Sequence, residues 1–328
     1  MLGAILVVGL GFIGFAAEPA APPTTAADQA RELIRSFDQG QDGFGLARKL
    51  VALGPKVLPA VQDSIAKKIN PLALPYLRQA EGWLLWEQAP PDQRNLELAR
   101  KVLQGILRAA DGSVRYLKVN FDAYCKVGAV GMPPALEQVR SYARNLDSDN
   151  FPANLTYLVQ MLAECADAGL AAELGKMLAA ESAWEREAAA FTLRGIAQRG
   201  GKIRVATPGL LRALTDAEER TIKNAAQALY FQRDPSILKD VFPLLSDDRA
   251  LVRAIAAELV EGLTGRDPGF KAEAPTPERE RVIAQIRKLL TERGILPAAE
   301  EGSAAQSQPQ TQTQPAAAPP PIQFSSTN

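Results

Sequence analysis

The chain has 328 residues, of which 47% are apolar and only 6% aromatic. This length allows one large domain, two ordinary domains or a repeat array, and the apolar share suffices for a sizeable core. Lysine plus arginine number 37, as do aspartate plus glutamate, so no overall field attracts nucleic acid or an anionic membrane. No histidine is present, which excludes Ser-His-Asp and Cys-His catalysis and any zinc site that uses histidine.

The remaining reactive side chains form no recognisable catalytic motif. Two cysteines are too few for a four-thiolate zinc site, and carboxylate or lysine chemistry leaves no signature in the sequence. The sequence therefore predicts no catalytic, cofactor-binding or metal-binding residues. It also predicts that the chain is not an enzyme.

The N-terminal segment 1–16 is an uncharged apolar run, MLGAILVVGLGFIGFA. Three of its glycines follow the dinucleotide-binding spacing G-x-G-x-x-G, namely Gly9, Gly11 and Gly14. That motif requires a helix directly after it to receive the pyrophosphate, and Pro19, Pro22 and Pro23 prevent one. The spacing therefore does not indicate a nucleotide site.

The same segment has the length and apolarity of a secretory signal, with Gly14 and Ala16 as small residues before a cleavage point. It is short for a membrane span, which takes about 20 residues. The first cation is Arg31, so no positive region precedes the run, and an uncleaved anchor or a buried strand are the alternatives. We predict a signal peptide or membrane anchor over 1–16 and a flexible leader over 17–27. The chain is then exported, periplasmic or extracellular, or held at the membrane by its N-terminus.

Residues 28–294 show helical periodicity that is interrupted by Pro, Gly and Asp. The segments LTDAEERTIKNAAQALYFQRD and LSDDRALVRAIAAELVEGLTG are similar, and aligning Lys223 with Arg253 gives an offset of about 30 residues. A fixed period of this size is typical of a solenoid of stacked helix pairs. We predict an all-α, right-handed α-solenoid of antiparallel helix pairs, with about six pairs between residues 43 and 265.

LSDDRALVRAIAAELVEGLTG and FGLARKLVALGPKVLPAV resemble HEAT and HEAT-like (PBS-lyase-type) repeats, in which an Asp-rich turn precedes a V-R-x-x-A-A-x-x-L helix. The resemblance is most specific from about residue 147 to 265. It implies that a turn aspartate and a helix cation form a ladder between repeats. Those roles would fall to Asp216 with Lys223 and to Asp247 with Arg253.

The segment LTGRDPGFKAEAPTPERERVIAQIRKLL is also similar to the closing segment of secreted bacterial HEAT-repeat proteins. A curved, ridged solenoid surface offers contact area rather than catalysis, so we predict a non-catalytic scaffold for protein–protein interaction, with a protein partner of unknown identity. The balanced charge predicts no nucleic-acid partner, and we expect contact with a membrane only through an uncleaved N-terminal segment. The alternatives are a membrane-tethered structural envelope protein and a lyase-type HEAT-like enzyme subunit.

The C-terminal part of the chain contains a capping helix and a tail of different composition. Thr276 is predicted as the N-cap of a helix over 276–293, whose polar outer face suits the end of a solenoid. Residues 295–328 are rich in Pro, Gln and Ala and predict a disordered tail. Within it, AAAPPPIQF is either a linker or a proline-rich motif for a partner.

Cys125 and Cys165 are predicted near the ends of second helices in successive pairs, where their thiols can meet. An exported protein permits a disulfide. Packed helix axes lie about 8–10 Å apart, whereas bridged Cα atoms are usually at or below about 6.8 Å. Two buried reduced thiols are therefore the alternative to a bridge.

Aromatic residues on predicted second helices are the candidate partner contacts. Trp83 and Trp86 share one helical face, which is either a core face or an exposed patch of the kind found in interface hot spots. Tyrosines on other second helices would line the concave surface of a HEAT-like array. The candidates are Trp83, Trp86, Tyr116, Tyr124, Tyr157 and Tyr230.

Overall fold

The computed structural model describes residues 25–38, 41–109, 114–145 and 153–297. The predicted signal or anchor over 1–16, most of the predicted leader and the tail beyond residue 297 lie outside the described residues. Among the helices that are described, none combines the length and apolarity that crossing a bilayer requires.

The described part of the chain consists of fifteen α-helices joined by short 3-10 turns and loops, and it contains no strand. The helices are α1 (Ala26–Arg35), α2 (Gly43–Ala52), α3 (Leu58–Ala66), α4 (Leu74–Gln88), α5 (Leu96–Ala109), α6 (Val114–Tyr124), α7 (Met132–Arg144), α8 (Ala153–Cys165), α9 (Ala171–Met177), α10 (Ala183–Gln198), α11 (Thr207–Ala213), α12 (Glu219–Gln232), α13 (Leu238–Val241), α14 (Ala250–Thr264) and α15 (Thr276–Glu292).

These helices stack in successive pairs. The second helices α6, α8, α10, α12 and α14 each pack on the next, and the first helices make a parallel set of contacts, such as α5 with α7 and α9 with α11. Six pairs run from α3/α4 to α13/α14, preceded by α1 and α2, which pack on α3 and α4 respectively. The predicted all-α fold is confirmed for the described residues, whose helices stack in successive pairs.

Aspartates in the turns fix where the second helices begin. Asp216 Oδ1 accepts a hydrogen bond from the backbone N–H of Glu218 at 2.9 Å, and Asp247 Oδ1 accepts one from Arg249 at 2.9 Å. A short carboxylate that binds a backbone N–H two residues later stabilises a turn. Each turn therefore ends at the residue that immediately precedes a second helix.

The N-cap residues correct the predicted register of the repeats. The N-caps of α10, α12 and α14 are Ser182, Glu218 and Arg249, so the last two repeats are offset by 31 residues rather than 30. In this register Arg253 is equivalent to Ile222, and both are buried. The sequence alignment erred because it matched two cations instead of the two turns.

The predicted pairing of Asp216 with Lys223 is wrong for this reason. Lys223 is displaced by one position, lies on the exposed side of α12 and forms an ion pair with Glu219 of its own helix. Asp216 instead accepts two hydrogen bonds from Arg186 of the preceding repeat, from Nε at 2.7 Å and from Nη2 at 3.1 Å. The link between these repeats is therefore a bidentate arginine–carboxylate pair, the stronger geometry for such a contact.

The predicted pairing of Asp247 with Arg253 is wrong as well. Arg253 donates to the carbonyl oxygens of Asp247 and Asp248 at 2.8 Å each, and to that of Ala272 at 2.9 and 2.6 Å. The guanidinium therefore satisfies backbone carbonyls in the turn before its own helix and in the segment leading to α15. The family-like arginine is present, but its partners are main-chain atoms.

The capping helix begins one residue differently from the prediction. Thr276 is the first residue of α15, and Pro275 occupies the N-cap position. Val282, Ile286 and Leu290 form the buried stripe of α15. Arg293, directly after the helix, donates to the Thr264 carbonyl at 2.8 Å and so attaches the end of α15 to the end of α14.

Gly195 allows α10 to approach α8 closely. A Cβ atom at this position would overlap the carbonyl oxygen of Ala163, and a backbone carbonyl inside a packed helix pair cannot move aside. We expect Gly195→Ala to lower the free energy of unfolding by about 1–3 kcal/mol, because overpacking outweighs the gain in helix propensity.

Urea unfolding monitored by circular dichroism measures this change. Gly262→Ala is the matched control, because a Cβ there meets only the exposed ring of Tyr230 at 2.6 Å, and an exposed ring can turn away. An equal or greater stability of Gly195→Ala than of the wild type would show that the close approach of the two helices is not required.

Candidate functional site

Three consecutive second helices, α8, α10 and α12, enclose a surface groove of about 290 Å³. We call it the α8–α10–α12 groove. Its lining combines aromatic, aliphatic and charged side chains: Thr156, Val159, Gln160, Trp184, Glu187, Ala188, Phe191 and Arg220. The concavity beside α15, in contrast, is lined mainly by charged and polar side chains.

The centre of the groove is built by three residues of α10. Trp184, Glu187 and Phe191 are separated by three and four positions, so they lie on one helical face. All three are half-buried. The start of α10 is fixed by Ser182, whose hydroxyl accepts from the backbone N–H of Glu185 at 3.4 Å. The local sequence thus places a carboxylate between two aromatic rings.

Arg194 supports one wall of the groove. Its guanidinium lies over the ring of Phe191, 4.3 Å from the centroid, and Nη1 donates to Asn224 at 2.8 Å and to Gln227 at 3.0 Å. Burial lowers the pKa of Arg194, although the side chain stays charged because its ordinary pKa is so high. These contacts hold the Phe191 ring and connect α10 to α12.

Glu187 and Arg220 form the charged pair of the groove. Their ion pair is 3.6 Å long, and 23% of the Glu187 side chain but 75% of the Arg220 side chain is exposed. Burial raises the pKa of Glu187, and the charge and hydrogen bond of Arg220 lower it only in part. The groove therefore holds an incompletely compensated carboxylate, which is a feature of functional sites.

Replacing Glu187 with glutamine is expected to stabilise the protein at neutral pH. A carboxyl group whose pKa is higher in the folded state than in the unfolded state makes the fold less stable above that pKa. Below the ordinary pKa of the group, the folded and unfolded states both bind the proton, and this loss of stability disappears. We expect Glu187→Gln to raise the thermal midpoint by about 1 °C at pH 7 and to leave it unchanged in acid below the ordinary pKa of glutamate.

Glu219→Gln is the control for this experiment, and we expect it to lower the thermal midpoint at pH 7 rather than raise it. The hydrogen bond from Lys223 lowers the pKa of Glu219, so its removal takes away a stabilising contact at neutral pH. Differential scanning calorimetry across the acid range distinguishes the two variants. Destabilisation of the protein by Glu187→Gln at pH 7 would show that the ion pair with Arg220 outweighs the desolvation of the carboxylate.

Two aromatic residues predicted as partner contacts lie in the core instead. Trp86 is 6% exposed and Tyr124 is fully buried. The Tyr124 hydroxyl is within hydrogen-bond distance of two carbonyl oxygens, 3.2 Å from Ala99 and 3.0 Å from Gly131, and burial raises the pKa of Tyr124. Both prediction errors have one cause: helical periodicity places a residue on a face, but only packing decides whether that face is covered.

Three other predicted aromatic contacts, Trp83, Tyr157 and Tyr230, are not part of the groove lining. Trp83 and Tyr157 are half-buried and pack against the core, whereas Tyr230 is 45% exposed and lies against Gly262 of α14. The side chain of Tyr116 lies outside the described residues. Of these four, only Tyr157 is a sequence neighbour of a groove residue.

Trp184 and Phe191 are not among the contacts predicted from the sequence. The available signal was their spacing of seven on a second helix, with an acidic residue between them. That spacing indicates a shared face, but the groove also needs α8 and α12, and the sequence does not give the distance between these helices.

Cys125 and Cys165 are joined by a disulfide whose Cα atoms are 5.7 Å apart. Cys125 directly follows α6, and Cys165 is the last residue of α8. The axes of packed helices lie farther apart, but each Cα atom lies about 2.3 Å from its own axis, so two Cα atoms that face each other come close enough for a bridge. The bridge therefore connects two successive second helices beside the groove-forming part of the stack.

Within the described ranges, no group of three or more cysteine, aspartate and glutamate side chains is placed to hold a metal ion. No protein-family model matches the chain, and no curated protein matches it. A solved structure that matches part of the chain is that of human deoxyhypusine hydroxylase in complex with glycerol. The two chains are 16% identical with a TM-score of 0.32, and the match covers 73% of this chain and 89% of the human one.

This comparison corrects one prediction. The sequence predicted that the chain is not an enzyme, but the solved protein that matches part of the chain is named as a hydroxylase and is therefore an enzyme. The prediction that the chain is not an enzyme is therefore not retained.

Proposed function

We propose that this protein is a helical-repeat scaffold that binds another protein outside the cytoplasm, and that the α8–α10–α12 groove is a principal contact surface. One observation carries the proposal: Trp184 and Phe191 flank the Glu187 carboxylate in a half-buried groove, with Arg220 exposed at its edge. Tryptophan and arginine are enriched among residues that dominate binding energy. An aromatic centre with a polar rim is the usual anatomy of a protein interface.

The position of the groove in the stack also supports protein binding. Successive second helices form a continuous ridged surface, and such surfaces in repeat proteins bind extended partners. Arg194 and the core already hold Phe191 in place, so little side-chain entropy is lost when a partner covers it. A pre-positioned aromatic anchor makes binding stronger for the same contact area.

A binding comparison of groove variants tests the proposal. The wild-type chain, Trp184→Ala and Phe191→Ala are immobilised, and exported proteins of the source cell are captured and quantified. We expect each substitution to weaken capture of the specific partner by about 2 kcal/mol, or about thirtyfold, as hot-spot truncations do.

Val205→Ser is the matched control, because Val205 is 62% exposed and lies outside the groove lining. Tyr230→Ala, on α12 but outside the groove, tests the aromatic contact predicted from the sequence. Equal capture by wild type and both groove variants would contradict the proposed site. Loss with Tyr230→Ala alone would place the contact between α12 and α14.

Two features support a location outside the cytoplasm. Segment 1–16 has the composition of an export signal, and the Cys125–Cys165 disulfide suits an oxidising compartment, where such bonds persist. Cell fractionation with N-terminal sequencing tests the location. A mature chain that begins at Ala17 is the expected result, an intact chain in the membrane fraction favours a tethered envelope protein, and an intact cytoplasmic chain contradicts export.

A further inference from the structure

We propose that the α8–α10–α12 groove binds the proline-rich segment of this same chain, QPAAAPPPIQF at residues 314–324. This inference goes beyond the proposed function, because it requires no external partner. It gives the groove a resident ligand with which an external partner must compete. The spacing of the groove's aromatic rings, its polar edge and the length of the connecting chain all fit this segment.

The ring spacing fits a polyproline II peptide. Trp184 and Phe191 are seven residues apart in α10, which is about 10.5 Å along a helix axis. In a polyproline II helix, residues three apart are separated by about 9.3 Å. Pro319 with Ile322, or Pro321 with Phe324, would therefore reach both rings. Proline-rich peptides are recognised by aromatic-lined grooves because they lose little entropy on binding.

The polar edge of the groove suits the backbone of this segment. A polyproline II helix has no internal hydrogen bonds, so its carbonyl oxygens accept from side chains of the groove. Arg220, whose side chain is 75% exposed, and Gln160 supply donors there. The segment 314–324 itself has no charged side chain, so these donors would bind it through its backbone carbonyl oxygens.

The connecting chain is long enough to reach the groove. Arg293 lies against Thr264 at the end of α14. The helices α12 and α14 lie between α10 and α15, so three helix-to-helix spacings separate them, or up to about 30 Å at the usual spacing. Residues 298–313 span up to about 53 Å when extended. A tether of this length gives an effective concentration of about 1 mM, so even a weak peptide affinity leaves the groove mostly occupied.

Fluorescence anisotropy of a labelled peptide covering residues 312–326 tests this inference. The peptide is titrated with the full chain and with a chain that ends at Gln306. If the dissociation constant is about 100 µM, competition from the tethered segment weakens binding to the full chain about tenfold. Phe191→Ala in the shortened chain should abolish the signal, and Val205→Ser should leave it unchanged.

A second measurement does not depend on the folding of a groove variant. A peptide in which Pro319, Pro320 and Pro321 are replaced by serine should bind the shortened chain at least about tenfold more weakly than the natural peptide, because a flexible chain loses more entropy. No binding of the natural peptide to the shortened chain overturns the inference, and so does equal affinity for both chains. Neither result bears on capture of an external partner, so failure here is distinguishable from failure of the proposed function.

Discussion

Replacing Arg186 with alanine is expected to lower the free energy of unfolding by about 3–5 kcal/mol. Arg186 and Asp216 connect two repeats, with 18% and 7% of their side chains exposed. Arg186 Nη1 also donates to the carbonyl oxygens of Ala180 at 3.0 Å and Glu181 at 2.8 Å. Without Arg186, the buried carboxylate of Asp216 and the two carbonyl oxygens lose the hydrogen bonds that it donates. The resulting loss of unfolding free energy is larger than the net stabilisation that the intact ion pair provides.

Chemical denaturation measures this loss, with Arg204→Ala as the matched control. Arg204 pairs with Asp234 at 3.5 Å across the same repeat spacing, but 78% of its side chain is exposed. A pair this exposed contributes less than about 1 kcal/mol. Equal losses for the two variants would show that burial of the Arg186 pair does not matter.

The effect of Arg186→Ala should also depend on pH. Burial raises the pKa of Asp216, but the hydrogen bonds from Arg186 and from backbone N–H groups outweigh it, and the net pKa is lowered. A carboxylate with a lowered pKa stabilises the fold above its ordinary pKa, and that contribution is lost as the pH falls through the folded-state value. The stability difference between wild type and variant should therefore shrink below about pH 3.8. A difference that stays constant in acid would assign the loss to the carbonyl contacts alone.

Removing the disulfide is the second large effect that we expect. Cys125 and Cys165 are 40 residues apart in sequence, and closing a loop of that length restricts the unfolded chain by up to about 4 kcal/mol. We expect Cys125→Ala/Cys165→Ala to lose about 2–4 kcal/mol of unfolding free energy under oxidising conditions.

Reductant distinguishes this effect from the loss of packing. The wild type in dithiothreitol should lose most of the same stability, whereas the double variant should be insensitive to dithiothreitol. Mass spectrometry after alkylation counts the free thiols in each sample. Alkylation of both wild-type cysteines without reductant would contradict the bridge.

Much of the fold could be predicted from the sequence, because each helix carries its own local signals. Periodic apolar residues identify the helices, and turn aspartates such as Asp216 and Asp247 identify where second helices begin. The positions of Cys125 and Cys165 near helix ends follow from the same segmentation. These features depend on contacts within a few residues along the chain, which is the range over which sequence patterns are informative.

The residues that link the repeats could not be predicted in the same way. Lys223 and Ile222 are adjacent, and which of them is equivalent to Arg253 depends on a register of one residue that the turns set. A shift of one residue rotates a helical side chain by about 100°, enough to move it from the buried to the exposed side. Charge matching alone therefore chose the wrong residue.

The sequence by itself determined that the described part of the chain is helical, that its helices come in repeated pairs and that the chain lacks histidine chemistry. The tertiary structure decided which aromatic residues lie in the core and which line the groove. Trp86 and Tyr124 are covered, whereas Trp184 and Phe191 line a groove that also needs residues of α8 and α12. The physical reason is that exposure depends on how closely neighbouring helices approach, as at Gly195, and that distance is set by the packing of residues far apart in the chain.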